Sequence, residues 1–122
     1  MNEIPSVPSP RAFVRNRFGE NVSPDQLSRN NVDPVELAGE LSEQIGPDAH
    51  MLWIEAVPKG NRNWLVPAFE PRLEWKHHCA VLYCGYVVDP WLDEAVPLAE
   101  YGPRMFPKQA IRFEIDPGKE DW

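Results

Sequence analysis

Residues 77–91 read HHCAVLYCGYVVDPW. Two apolar, β-prone runs flank Cys84-Gly85, the pattern of two strands joined by a tight turn. With Cys84 and Gly85 as the turn, Tyr83 faces Tyr86, Ala80 lies opposite Asp89, and His78 lies opposite Trp91. Side chains alternate along a strand, so His78, Ala80 and Asp89 share one face while His77 and Cys79 project to the other. Asp89 is then diagonal to His78. Diagonal neighbours lie about 7–8 Å apart at the backbone, near enough for long side chains to meet. A slip of one residue would reverse the arrangement and bring His77 into play.

Upstream of this hairpin, Met51 to Val57 (MLWIEAV) reads as a mostly apolar strand. Lys59-Gly60-Asn61 is a turn and Asn63 to Val66 a return strand, whereas Pro67 and Pro71 make 67–75 a loop or edge. Downstream, Pro90, Pro97, Pro103 and Pro107 predict an irregular wrap over 90–110. Ala110 to Ile115 is the last strand, and Asp116-Pro117-Gly118 an exit turn before a charged tail.

The N-terminal third has a different period. Asp33-Pro34 is a helix start, an acidic cap followed by proline at the first helical position. Leu37, Leu41 and Ile45 then step by four along one face, and Gly46-Pro47 stops the helix, so the spacing predicts a helix over 34–45. Ser23-Pro24 opens a shorter helix of about one turn by the same device. Phe13, Val14 and Phe18, spread among Arg11, Arg15 and Arg17, fit one short helix or an anchored strand ended by Gly19. Pro5, Pro8 and Pro10 make 1–11 an extended arm, leaving 12–122 as a single domain. Helices first and an antiparallel meander afterwards define an α+β fold, with four or five strands. The 34–45 helix is expected to bury Leu37, Leu41 and Ile45 against Trp53, Val81 and Leu82.

Composition bounds the function. The 122 residues carry 12 basic and 19 acidic side chains, a formal net charge of −7, which argues against a nucleic-acid or anionic-membrane partner. An aromatic and basic set (Trp53, Trp64, Trp75, Arg62, Arg72, Lys76) is better read as core and rim than as a base-stacking surface. No apolar run approaches the ~18 residues of a membrane span, and MNEIPSVPSPR lacks the regions of a signal peptide. The expected location is cytoplasmic, or secreted without a classical signal peptide. Two cysteines are too few for a disulfide scaffold. His50, His77, His78, Asp89 and Cys79 have none of the spacings of a metal site, so neither metal nor cofactor is called for. The acidic residues of the 34–45 helix and of the loop Asp89, Asp93, Glu94 and Glu100 would suit a basic protein partner, with Trp91 or Trp122 as an anchor if exposed. Oligomeric state is not readable.

An Asp beside a His has a definite chemical use. The carboxylate accepts the imidazole N–H and fixes its tautomer, and the imidazole then serves as a general base toward a thiol or water. The plainer reading is a strand-end His followed by an Asp-Pro turn. Yet Trp75, His78, Ala80, Val81, Gly85, Val87, Val88, Asp89 and Pro90, with Pro97, Leu98 and Tyr101, resemble the His/Asp half of papain-like and transglutaminase-like cysteine hydrolases. The nearest flavour is that of bacterial protein-glutaminases and papain-fold toxin or effector domains. The resemblance covers 75–101 and implies His78 as general base, Asp89 as its orienter, and a protein glutamine or peptide amide as substrate. It also implies a nucleophilic Cys at a helix N-terminus. Neither Cys79, on the opposite face, nor Cys84, in the turn, can play that part. Val32 or a neighbour stands there, and Ser28 is the nearest free hydroxyl. The chain is thus expected to be a hydrolase or deamidase-like domain, an inactive member of that class, or part of a larger toxin or effector. The alternative is a non-catalytic acidic interaction module, of the kind found in immunity or effector-accessory proteins.

Overall fold

The computed structural model describes residues 7–30, 32–58, 64–70 and 72–116. Three helices come first: α1 (Pro10–Phe18), α2 (Pro24–Arg29) and α3 (Pro34–Ile45). One device starts all three. Ser9, Ser23 and Asp33 each accept a backbone N–H of the first turn, and a proline follows in the first turn, where its missing N–H costs nothing. At α2 the side chain of Gln26 reaches back to the Ser23 amide and completes a capping box. Helix α1 settles the helix-or-strand question for Phe13 and Val14. It also takes in Pro10 and Arg11, which the sequence assigned to the extended arm. Pro10 is a helix opener, and residues 1–6 lie outside the described residues.

The strands β1 (His50–Ala56), β2 (His78–Tyr83), β3 (Tyr86–Val88), β4 (Val96–Pro97) and β5 (Ile111–Ile115) form one sheet in the order β4-β3-β2-β1-β5. Every pairing is antiparallel, and the class is α+β as expected. The hairpin register is the one read from the sequence: Val81 pairs Val88, Leu82 pairs Val87 and Tyr83 pairs Tyr86. Cys84 (φ 51°) and Gly85 (φ 81°) both take the left-handed conformation that a two-residue turn of this hand requires.

Two parts of the sequence reading need correction. Of the return strand expected at 63–66, the described residues 64–66 form none; Leu65 makes an isolated bridge to Trp75, consistent with the flanking prolines. The wrap at 90–110 contains β4 and a regular helix, α4 (Leu98–Met105), despite Pro103 within it. The helix survives because Leu98, Tyr101 and Met105 fall on one face, and Tyr101 and Met105 are buried. Packing of that face outweighs the bond that Pro103 cannot make.

Helix α3 packs on β2 and β1. Its Leu37, Ala38 and Leu41 are buried, but Ile45 only partly. Full burial of one leucine contributes about 1.5–3 kcal/mol. Val81 and Leu82 point to opposite faces of β2, so one helix cannot cover both, and Val81 is the fully buried one. Among the described residues no helix is long and apolar enough to cross a membrane.

Candidate active site

His78 is the first residue of β2 and Asp89 the residue after β3. The tight turn returns the chain in register, so their side chains meet on one face of the sheet. His78 Nε2 lies 2.8 Å from Asp89 Oδ2. Both residues are completely buried. A carboxylate removed from water is costly unless hydrogen bonds satisfy it, and Asp89 has them. Its Oδ1 accepts the backbone N–H of Trp91 at 2.9 Å, and its Oδ2 accepts the Tyr101 hydroxyl at 2.5 Å. Burial, and then the charge of Asp89, pushes the Tyr101 hydroxyl well above the usual phenol range, which keeps it a donor.

A carboxylate only accepts, so Nε2 of His78 carries the hydrogen and Nδ1 holds a lone pair. That Nδ1 is buried and has no hydrogen-bond partner. An unmet buried polar atom costs about 1–3 kcal/mol, and in native proteins it calls for an explanation. Aromatic rings hold the imidazole in place: Trp75 stacks on it at 4.8 Å and Trp91 meets it edge-on at 5.1 Å. The ring is one wall of a cleft of about 460 Å³ that also takes in Ser28, Val32, Asp33, Trp75, His77 and Trp91. The cleft opens at the N-terminal end of α3, where the helix dipole favours negative charge. An imidazole with one nitrogen fixed by a carboxylate and the other unpartnered has the arrangement of an oriented general base, here with both nitrogens buried.

The cleft holds no thiol. Cys79 is buried on the opposite face of β2, and burial, assisted by the charges of Asp89 and Asp33, pushes its thiol up to about 12. Cys84 is exposed in the hairpin turn. Val32 lies in the cleft just before α3, where the resemblance calls for the nucleophile. Ser28 lines the same cleft, but its Oγ accepts the Trp91 indole N–H at 3.0 Å and makes no bond to His78. His77 turns to the other face, where Trp53 stacks on it at 4.3 Å; desolvation holds its pKa below the ordinary 6.5. His50 pairs instead with Asp116 at 2.7 Å. The metal candidates are therefore dispersed, and no group of three or more potential ligands occurs among the described residues.

Trp91 is 3% exposed, not an exposed anchor; it is spent on the His78 wall and on Ser28. Trp122 lies outside the described residues. The sequence reading did not assign Tyr101 or Trp75 a role at the site. The i, i+3, i+7 spacing of Leu98, Tyr101 and Met105 was the available signal for Tyr101, obscured by Gly102-Pro103. No protein-family model, curated protein or solved structure matches the chain.

Proposed function

We propose that this chain is a domain of the papain-like or transglutaminase-like hydrolase type, directed at a protein glutamine or peptide amide. It retains the base and orienter of that chemistry without a thiol of its own in the cleft. His78 is the base, Asp89 fixes its tautomer, Tyr101 and the Trp91 amide hold Asp89, and Val32 stands at the nucleophile's place. One observation carries the reading: Asp89 engages Nε2 of His78 while its buried Nδ1 has no hydrogen-bond partner, in a residue that belongs to the lining of the cleft. Alone, the chain engages an amide-bearing segment without turning it over.

The test restores the missing group. In Val32→Cys, the new thiol is expected to react with iodoacetamide near neutral pH well above the rate of an ordinary cysteine, in a Cys84→Ser background that removes the exposed thiol. Adding His78→Ala should slow that reaction by about tenfold or more, the scale of general-base assistance. Equal rates with and without His78 would overturn the reading. Wild-type chain is expected to release no ammonia from an N-acyl-Gln-Gly dipeptide.

The second reading, a non-catalytic acidic interaction module, is favoured by Val32 itself and by the carboxylates of Asp33 and Glu74 beside the cleft. It predicts salt-sensitive binding of an arginine-rich peptide, weakened by Asp33→Asn with Glu74→Gln. Asn at position 33 preserves the α3 cap.

A further inference from the structure

The two edges of the sheet are unlike. The β4 edge is only Val96–Pro97, a short strand with a proline, which is how native proteins protect an edge from pairing. The β5 edge, Ile111–Ile115, has no such protection and no strand beside it among the described residues. Its sequence is Ile-Arg-Phe-Glu-Ile. Ile111, Phe113 and Ile115 share one face, and Phe113 and Ile115 are 38% and 52% exposed. Ile111 and Phe113 continue into an apolar groove of about 400 Å³ against α4, walled by Leu98, Gly102 and Phe106.

We propose that β5 pairs antiparallel with β5 of a second copy of this chain, about a twofold axis at Phe113, joining two five-stranded sheets into one. The register follows from hydrogen bonding and charge together. The Asp116 amide donates to Met51 and the Val57 amide to Ala110, so even-numbered β5 residues turn their backbone groups toward β1. Ile111, Phe113 and Ile115 therefore aim their N–H and C=O groups at the open edge. Pairing about Phe113 sets Phe113 on Phe113 and Ile111 on Ile115 of the second copy, and each pair exchanges both backbone bonds. The strand is pseudo-palindromic, so the same register sets Arg112 against Glu114 of the second copy at the closer, non-hydrogen-bonded positions. Glu114 makes no ion pair among the described residues. Arg112 binds Glu55 through Nε and Nη2, which leaves Nη1 for the cross-copy carboxylate. The apolar residues meet on the α4 side, continuous with the groove.

Sedimentation of the full chain from low micromolar to about 100 μM, the range expected for a small interface, tests this directly. The chain should show a concentration-dependent dimer. Glu114→Arg and Arg112→Glu should each raise the dimer dissociation constant at least about tenfold, and an equimolar mixture of the two should restore dimer by forming the complementary pair. Ile115→Pro removes an outward amide that β1 does not use, so it should abolish the dimer and leave far-UV circular dichroism unchanged. A monomer throughout the range, a dimer indifferent to Ile115→Pro, or a mixture that stays monomeric would overturn the proposal.

Discussion

Tyr101 donates its hydroxyl to the same Asp89 oxygen, Oδ2, that meets His78, at 2.5 Å and from a different layer of the fold. Helix α4 is thereby bonded to the end of the hairpin through the residue that orients the imidazole. Removing the hydroxyl deletes a bond to a charged acceptor, worth about 1.5–3 kcal/mol. Tyr101→Phe should therefore lower the denaturation midpoint, and Asp89→Ala should cost more, because three donors then lose their acceptor. Urea unfolding of the variants measures both.

The two cysteines should differ completely toward alkylating agents. Cys84 is exposed, whereas burial holds the Cys79 thiol near 12. Native chain at pH 8 should take up one iodoacetamide, Cys84→Ser none, and denatured wild type two. Mass spectrometry of the intact chain reads this out, and rapid labelling of native Cys84→Ser would contradict the buried placement of Cys79.

The hairpin turn gives a third test. Gly85 sits at φ 81°, where a side chain costs about 1–2 kcal/mol, so Gly85→Ala should destabilise by that amount. Cys84 occupies a left-handed position that asparagine tolerates better, and Cys84→Asn should raise the thermal midpoint.

Asp116 supplies the pH dependence. It accepts from His50 and from the Met51 amide, and the His50 bond is the main cause of a pKa below the ordinary 3.8. A depressed carboxylate contributes stability that is complete above its unfolded value and lost as pH falls through its folded value. The wild type should therefore exceed Asp116→Asn in stability at pH 6 and converge toward it below about pH 4. The gap is modest, since both partners are half exposed. Carboxyl NMR titration of Asp116 checks the direction independently.

Packing of α3 provides the last test. Leu41 is 2% exposed on the face turned to the sheet, and Leu41→Ala should cost about 2–5 kcal/mol in urea unfolding.

Local chemistry made α3, the hairpin and its register legible. A cap, a proline and a four-residue step specify a helix without tertiary help, and Cys84-Gly85 fixes which residues face one another. His78 and Asp89 could be paired for that reason. The roles of Tyr101, Trp75 and Trp91 could not be read, although all three lie close to the pair in sequence, because each acts from outside the two paired strands and through packing that no local pattern encodes. Helix α4 was hidden by Gly102-Pro103, local breakers overridden by the burial of Tyr101 and Met105. The unmet Nδ1 of His78 belongs to no pattern of residues; it exists only once the surroundings are assembled.

The convergence on Asp89 also bears on how the molecule opens. The Trp91 amide, the Tyr101 phenol and the His78 ring come from a loop, a helix and a strand, yet they end on one carboxylate. Regions that fray separately do so because few bonds tie them to the rest. Here the orienting contacts are the same bonds that tie the layers together. The imidazole therefore has no private route to disorder: amide exchange at Trp91 should keep pace with the slowest-exchanging amides of β2, and the dyad should survive in register until the whole domain unfolds.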